Sequence, residues 1–187
     1  QTGSRLVMGL VGQMRVLERG LQGTVVSYRG MTFRIPLLGD HQLCNGINAV
    51  ETAFVLKEKG FAISEDQIVE GIEAARIPAR AELLSQKPLV LLDGAHNQPG
   101  AEALAALLKS LEKKNLVGII GMLRDKDFER TSARIAACCS AVIAVEPQCP
   151  RALDREQMAK AVSKACPKVE TAESLQEAYH RGLELAG

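Results

Sequence analysis

Apolar and polar positions follow two rhythms along the chain. Early on, Thr24–Tyr28 and Met31–Leu37 are β-rich runs broken by Arg29-Gly30, a spacing that predicts a hairpin. From Leu43 the rhythm turns helical. Leu43, Ile47, Val50, Phe54 and Val55 recur on one face, and Gly60 supplies a stop. SEDQIVEGIEAA predicts a second helix, with Ser64 as N-cap and Gln67 as its partner in a capping box. Pro78 breaks that pattern.

Beyond Pro78 short apolar runs alternate with amphipathic segments. AELLS and LVLLD are separated by QKP, and the segment that follows carries Leu104, Leu107, Leu108 and Leu111 on one stripe. LVGIIGM (116–122) and AVIAV (141–145) predict buried strands, and KVETA a shorter one. Helices are predicted over FERTSARIAACC, over DREQMAKAVSKAC behind a cap at Asp154, and over SLQEAYHRGLELAG. Strands starting near 89, 116, 141 and 168 thus alternate with single helices. That spacing predicts an α/β fold, a Rossmann-like, mostly parallel sheet with helices on both faces. The domain boundary is expected near Ile77–Arg80. The loops 93–97, 121–128 and 146–153 would then lie at carboxyl ends of strands, where such sheets bind ligands.

Composition narrows the classes of function. Apolar residues make up 47% of 187, enough for a buried core, and this core must rest on Leu, Val, Ile and Ala because aromatics are 3% and Trp is absent. The formal charge of +1 gives no basis for a nucleic-acid or membrane surface. The five cysteines form no C-x-x-C pair, and adjacent Cys138-Cys139 is poor geometry for chelating one metal. An odd count without a disulfide framework suits the reducing cytoplasm. QTGSRLVMGL lacks the texture of a signal peptide, and no apolar run approaches the roughly 18–20 residues of a bilayer span.

The chemistry concentrates in LLDGAHNQPGAEAL, residues 91–104. Asp93 ends a strand and can accept hydrogen bonds from a sugar diol, or serve as a turn aspartate bonded to its own backbone. His96 can meet phosphate or substrate, or orient the loop. Asn97 is placed to cap the next helix, with Pro99 in its first turn. Neither G-x-G-x-x-G nor a P-loop occurs. Asp125-Lys126-Asp127, Arg80, Arg151 and the trio His41, Gln42, Asn45 carry the same duality between turn or cap chemistry and ligand binding.

Taken in order, these pieces resemble the folylpolyglutamate synthases, ATP-dependent ligases related to the Mur peptidoglycan ligases. LLDGAHNQPGAEAL is similar to their D-G-A-H-N-P segment, LLGDHQLCNGINAV to G-x-H-Q-x-x-N-A, RIPARAELL to P-G-R-x-E, GMLRDKDF to the D-K-D loop and CPRAL to P-R-A-L. The resemblance implies a central ATPase domain and a Rossmann-like C-terminal domain, with ATP in the cleft between them. ATP would phosphorylate a folate carboxylate to an acyl phosphate, which the amine of L-glutamate attacks; bacterial members often also act on dihydropteroate. By position, Asn45, Arg80, Asp93 and His96 match ATP-binding residues, Asp93 at the ribose. The resemblance assigns no catalytic residue to this chain except, as a candidate, His96, and no metal ligand. Mg2+ and the missing N-terminal ATPase domain would complete the site, with ATP, folate and L-glutamate as substrates.

Departures from the family pattern are small where motifs exist. Ala79 stands for the glycine of P-G-R, Gly46 for the alanine of N-A, and Pro99 comes one place late. The P-loop, the metal ligands and a final strand after the last helix are absent from the sequence. The expectation is therefore a fragment, inactive alone. Residues 1–77 would be the remnant of the central domain, a hairpin plus two helices, and 78–187 the Mur-ligase-type C-terminal domain without its last strand. A Mur-type amino-acid ligase fragment and a non-catalytic nucleotide-binding module remain alternatives.

Overall fold

A computed structural model describes residues 6–112 and 115–187. The first five residues of the segment weighed as a leader, and the start of the proposed 1–77 remnant, lie outside them. The chain packs as two compact units, Gln1–Asp93 and Gly94–Gly187.

In the first unit three antiparallel strands form a meander, β1 (Arg15–Gly20), β2 (Gly23–Tyr28) and β3 (Met31–Ile35). The predicted β2–β3 hairpin is present. Arg29 and Gly30 turn the chain with φ of 50° and 79°, as a two-residue connection demands. β3 stops at Ile35 rather than Leu37, because Pro36 has no N–H to donate to a ladder. β1 is an addition that hydrophobic alternation did not announce: its residues are almost all exposed, and backbone bonds to β2 define it, with a bulge between Val16 and Glu18.

Val26, Tyr28, Met31, Phe33 and Ile35 project from β2 and β3 onto Leu43, Ile47 and Val50 of α1 (Asp40–Glu58) and Ile68 of α2 (Glu65–Glu73). Each large apolar side chain buried here contributes about 1.5–3 kcal/mol. The predicted capping box is complete: the Gln67 amide donates to Ser64 Oγ at 3.1 Å, and the Ser64 amide donates to Gln67 Oε1 at 2.9 Å. At the edge of this core Glu51 is buried. Its carboxylate accepts from Tyr28 Oη at 2.8 Å and from Arg29 Nε and Nη2 at 2.6 and 3.1 Å. Arg29 holds that carboxyl below its usual range, whereas burial and the Glu51 contact push the Tyr28 hydroxyl up.

β4 (Glu82–Gln86) and β5 (Leu89–Leu92) complete the first unit as an antiparallel pair. LVLLD was expected beside the later strands in the parallel sheet; here β5 pairs with its sequence neighbour β4. The connection between them is only two residues long, so this ladder closes at low entropic cost.

The second unit is built on a parallel sheet in the order β6 (Val117–Ile120), β7 (Ala141–Ala144), β8 (Val169–Thr171). β7 is buried throughout, and its alternate residues serve two cores. Val142 and Ala144 pack with residues of α3 (Gln98–Ser110), α4 (Phe128–Ala136) and α5 (Arg155–Val162). Ile143 packs on the opposite face with Ala178 and Leu185 of α6 (Leu175–Ala186). Helices therefore cover both faces, as predicted. Side-chain oxygens cap α3, α5 and α6: Asn97 Oδ1 accepts from the Gly100 amide, Asp154 Oδ1 from Glu156 and Gln157, and Ser174 Oγ from Glu177, whereas Asp127 at the start of α4 makes no such bond.

Candidate functional site

Arg80 sits on a short turn whose backbone is held from two sides. Ala79 and Ala81 both have positive φ, 55° and 47°, the left-handed region that side chains disfavour by about 1–2 kcal/mol. Two carboxylates stabilise the turn. Glu82 Oε2 accepts from the Ala79 amide at 2.9 Å, and Asp93 Oδ2 accepts from the Ala81 amide at 2.7 Å. Ala81 is buried and Arg80 exposed. The Arg80 guanidinium forms no hydrogen bond or ion pair among the described residues. Ala79 thus keeps the conformation for which glycine is the unstrained choice, and the fork of Arg80 faces outward, free for a planar anion.

Two of the sequence-predicted residues therefore meet, since Asp93 fastens the turn that carries Arg80. Asn45 lies on the exposed side of the first turns of α1, where its Nδ2 donates to Oε1 of the buried Gln42 at 3.0 Å. Gly39, the N-cap of α1, offers no side-chain cap, so the amides of this turn rely on other partners. His96 belongs to the second unit. Its Nδ1 lies 2.8 Å from the Gly94 carbonyl, which makes Nδ1 the protonated nitrogen and leaves Nε2 the one available to a ligand. Glu82 had a sequence signal, the acid in P-A-R-A-E, but its role became visible only with the backbone turn it holds.

Two of the three polar loops share the carboxyl edge of the parallel sheet and are bonded to each other. Leu123 and Ala152 form an antiparallel bridge, the Leu153 amide donates to Met122 O and the Arg124 amide to Arg151 O, each at 2.9 Å. Arg124 Nε and Nη2 donate to the carbonyls of Ala152 and Pro150 at 3.3 and 3.1 Å, and Arg151 Nη1 pairs with Asp125 Oδ2 at 2.9 Å. The third loop, 93–97, spans the junction between the two units.

Among the described residues no three His, Cys, Asp or Glu side chains could hold a metal ion together. The five cysteines are free. Burial pushes the Cys139 thiol up to about 12, so it stays protonated and unreactive at neutral pH. No described helix is long and apolar enough to cross a membrane.

Residues 79–187 match the family model for the Mur ligase, glutamate ligase domain. The chain is 39% identical over 121 residues to the folylpolyglutamate synthase of Lacticaseibacillus casei, covering 64% of this chain and 28% of that protein. It is 34% identical over 149 residues to the dihydrofolate synthase/folylpolyglutamate synthase of Mycobacterium tuberculosis, covering 77% of this chain and 31% of that protein. Among solved structures, Mycobacterium tuberculosis folylpolyglutamate synthase complexed with ADP and AMPPCP superposes with a TM-score of 0.79 at 31% identity, over 92% of this chain and 41% of that one. The chain thus spans under a third of the length of these two curated relatives.

Proposed function

The chain belongs to the Mur ligase family by its glutamate ligase domain, and from that premise we propose that it works as the C-terminal part of an ATP-dependent ligase that adds L-glutamate to folate. The activity is that of a folylpolyglutamate synthase, with dihydrofolate synthase activity as a further capacity of the same site. The ATP γ-phosphoryl group passes to a substrate carboxylate. The amine of glutamate then attacks the acyl phosphate carbon, forming the amide and releasing phosphate. Such chemistry needs positioning and charge stabilisation more than a protein nucleophile.

The observation that carries this reading is the Arg80 turn. Two carboxylates hold a strained backbone so that one guanidinium stands outward without a partner among the described residues. That arrangement suits an arginine reserved for a phosphate, and the turn lies in the segment that matches the family. We assign ATP contacts to Asn45, Arg80, Asp93 and His96, with Asp93 also fastening the turn. We assign no Mg2+ ligand to this chain; the P-loop and the metal are assigned to the N-terminal ATPase domain of the parent protein. The functional domain is placed at 78–187, with 1–77 as the end of the ATPase domain, and the free cysteines support a cytoplasmic location.

The test is glutamate-dependent ADP release by the full-length enzyme with a reduced folate as acceptor. Arg80→Ala should raise KM for ATP about ten-fold or more, the worth of a charge-assisted contact. An unchanged KM for ATP would remove Arg80 from the nucleotide site.

A further inference from the structure

We infer that the apolar groove between residues 6–10 and α1 is a surface on which the N-terminal ATPase domain docks, and that it holds the two parts of the ligase together even without a peptide bond between them. The inference rests on the ligase reading above. Leu6, Met8 and Leu10 are 81%, 67% and 53% exposed, while Val7 and Gly9 between them are half-buried. A period of two is that of a strand with one face covered, yet residues 6–10 join no sheet among the described residues. Nor are they loose. The Gly9 amide donates to Asn48 Oδ1 at 3.0 Å and the Leu10 amide to Tyr28 Oη at 3.3 Å. Gly9 lies so close to α1 that a Cβ there would come within 2.7 Å of Ile47 Cγ2. The backbone is fastened, and three large apolar side chains are left outside.

Beside them lies a cavity of about 520 Å³ that Phe54 and Val55 of α1 also line. Its polar floor is already committed. Glu51 accepts from Tyr28 and Arg29, and the Arg29 guanidinium lies 4.5 Å from the centroid of the Phe54 ring. What the groove offers is therefore apolar surface, which suits the side chains of another protein layer better than a polar small molecule. Residues 6–14 contain no charge and no proline, the devices that guard an exposed edge against neighbours. The occupant is the rest of the ligase rather than a second copy. This chain spans only 28% and 31% of two curated relatives, which leaves most of such a protein to cover the groove, whereas a second copy brings only the same short row.

A specific protease site placed just before Gln1 in the full-length enzyme tests this. After complete cleavage the two parts should sediment as one equimolar complex and keep glutamate-dependent ADP release within about two-fold of the uncut enzyme. Met8→Asp should raise the dissociation constant of the cut complex about ten-fold or more. The same substitution should leave the urea midpoint of the isolated 187-residue chain unchanged, because Met8 is already exposed there; a merely structural role would lower it. Met8→Ala should act in the same direction by about three-fold, and it serves where the full-length aspartate variant does not fold. Leu175→Asp, at an apolar residue of α6 that is 68% exposed, should leave the association intact. Parts that separate on cleavage, a Met8→Asp complex as tight as wild type, or pairing of the isolated chain with itself that Met8→Asp abolishes would each overturn the inference and leave the ligase reading intact. An uncut enzyme without glutamate-dependent ADP release would overturn the ligase reading instead, and sedimentation of the cut parts would still decide the docking.

Discussion

Ala79 and Ala81 bear a conformational cost that their neighbours sustain. At Ala79 a glycine would relieve a left-handed penalty of about 1 kcal/mol but add about 0.4–1 kcal/mol of unfolded-chain entropy. Ala79→Gly is therefore expected to be neutral within about 0.5 kcal/mol, whereas Ala106→Gly on the exposed side of α3 should cost about 1 kcal/mol. Urea unfolding of both variants decides it; equal losses would mean that Ala79 is unstrained. Glu51 gives a second residue-scale expectation, this time in pH. Its folded-state carboxyl is held low, chiefly by Arg29, so its stabilisation is complete above the unfolded carboxyl value of about 4.3 and is lost as pH falls through the lower folded value. Glu51→Gln should thus destabilise at pH 7 by about 1–2 kcal/mol, discounted because Arg29 is half exposed, and the gap to wild type should close in acid. A gap that stays constant from neutral pH to the acid limit would show that the charge on Glu51 contributes nothing.

Helix ends were readable in advance because a cap is a local event. Ser64, Asn97 and Asp154 each bond amides two or three residues on, and the sequence displays both partners. Strand partnership is a different matter. β1 owes its existence to backbone bonds with β2 and shows no apolar alternation, and LVLL reads equally well as a parallel or an antiparallel strand until its neighbour is known. The carboxylate clamp on the Arg80 turn escaped for the same reason, since it joins side chains to amides whose direction depends on φ. Two expectations belong to this scale. Ser64→Ala should cost about 1 kcal/mol, read as a lower unfolding midpoint and faster amide exchange at the start of α2. Gly118 of β6 lies under α4, where an added Cβ would come within 2.9 Å of Cys139 Sγ. Gly118→Ala should therefore cost about 1–3 kcal/mol, and pairing it with Cys139→Ala should lose less than the sum of the two. Strict additivity would show that the thiol is not what excludes the methyl.

As a molecule the chain holds an arginine aimed outward, a capped strand–helix junction at 92–98 and a bonded rim at the edge of its sheet, while its sequence carries no P-loop motif. Phosphoryl transfer depends on electrostatic stabilisation of the γ-phosphate more than on any one reacting side chain. An arginine and two or three polar contacts can supply binding free energy, but not the cluster of backbone N–H groups and metal charge that lowers the barrier. Binding and turnover should therefore separate. The isolated 187-residue chain, given ATP, Mg2+, a reduced folate and glutamate, is expected to release ADP no faster than a protein-free blank. Glutamate-dependent release above that blank would mean that the chain assembles a transition-state site of its own, and the assignment of the phosphate cradle to another domain would have to be abandoned.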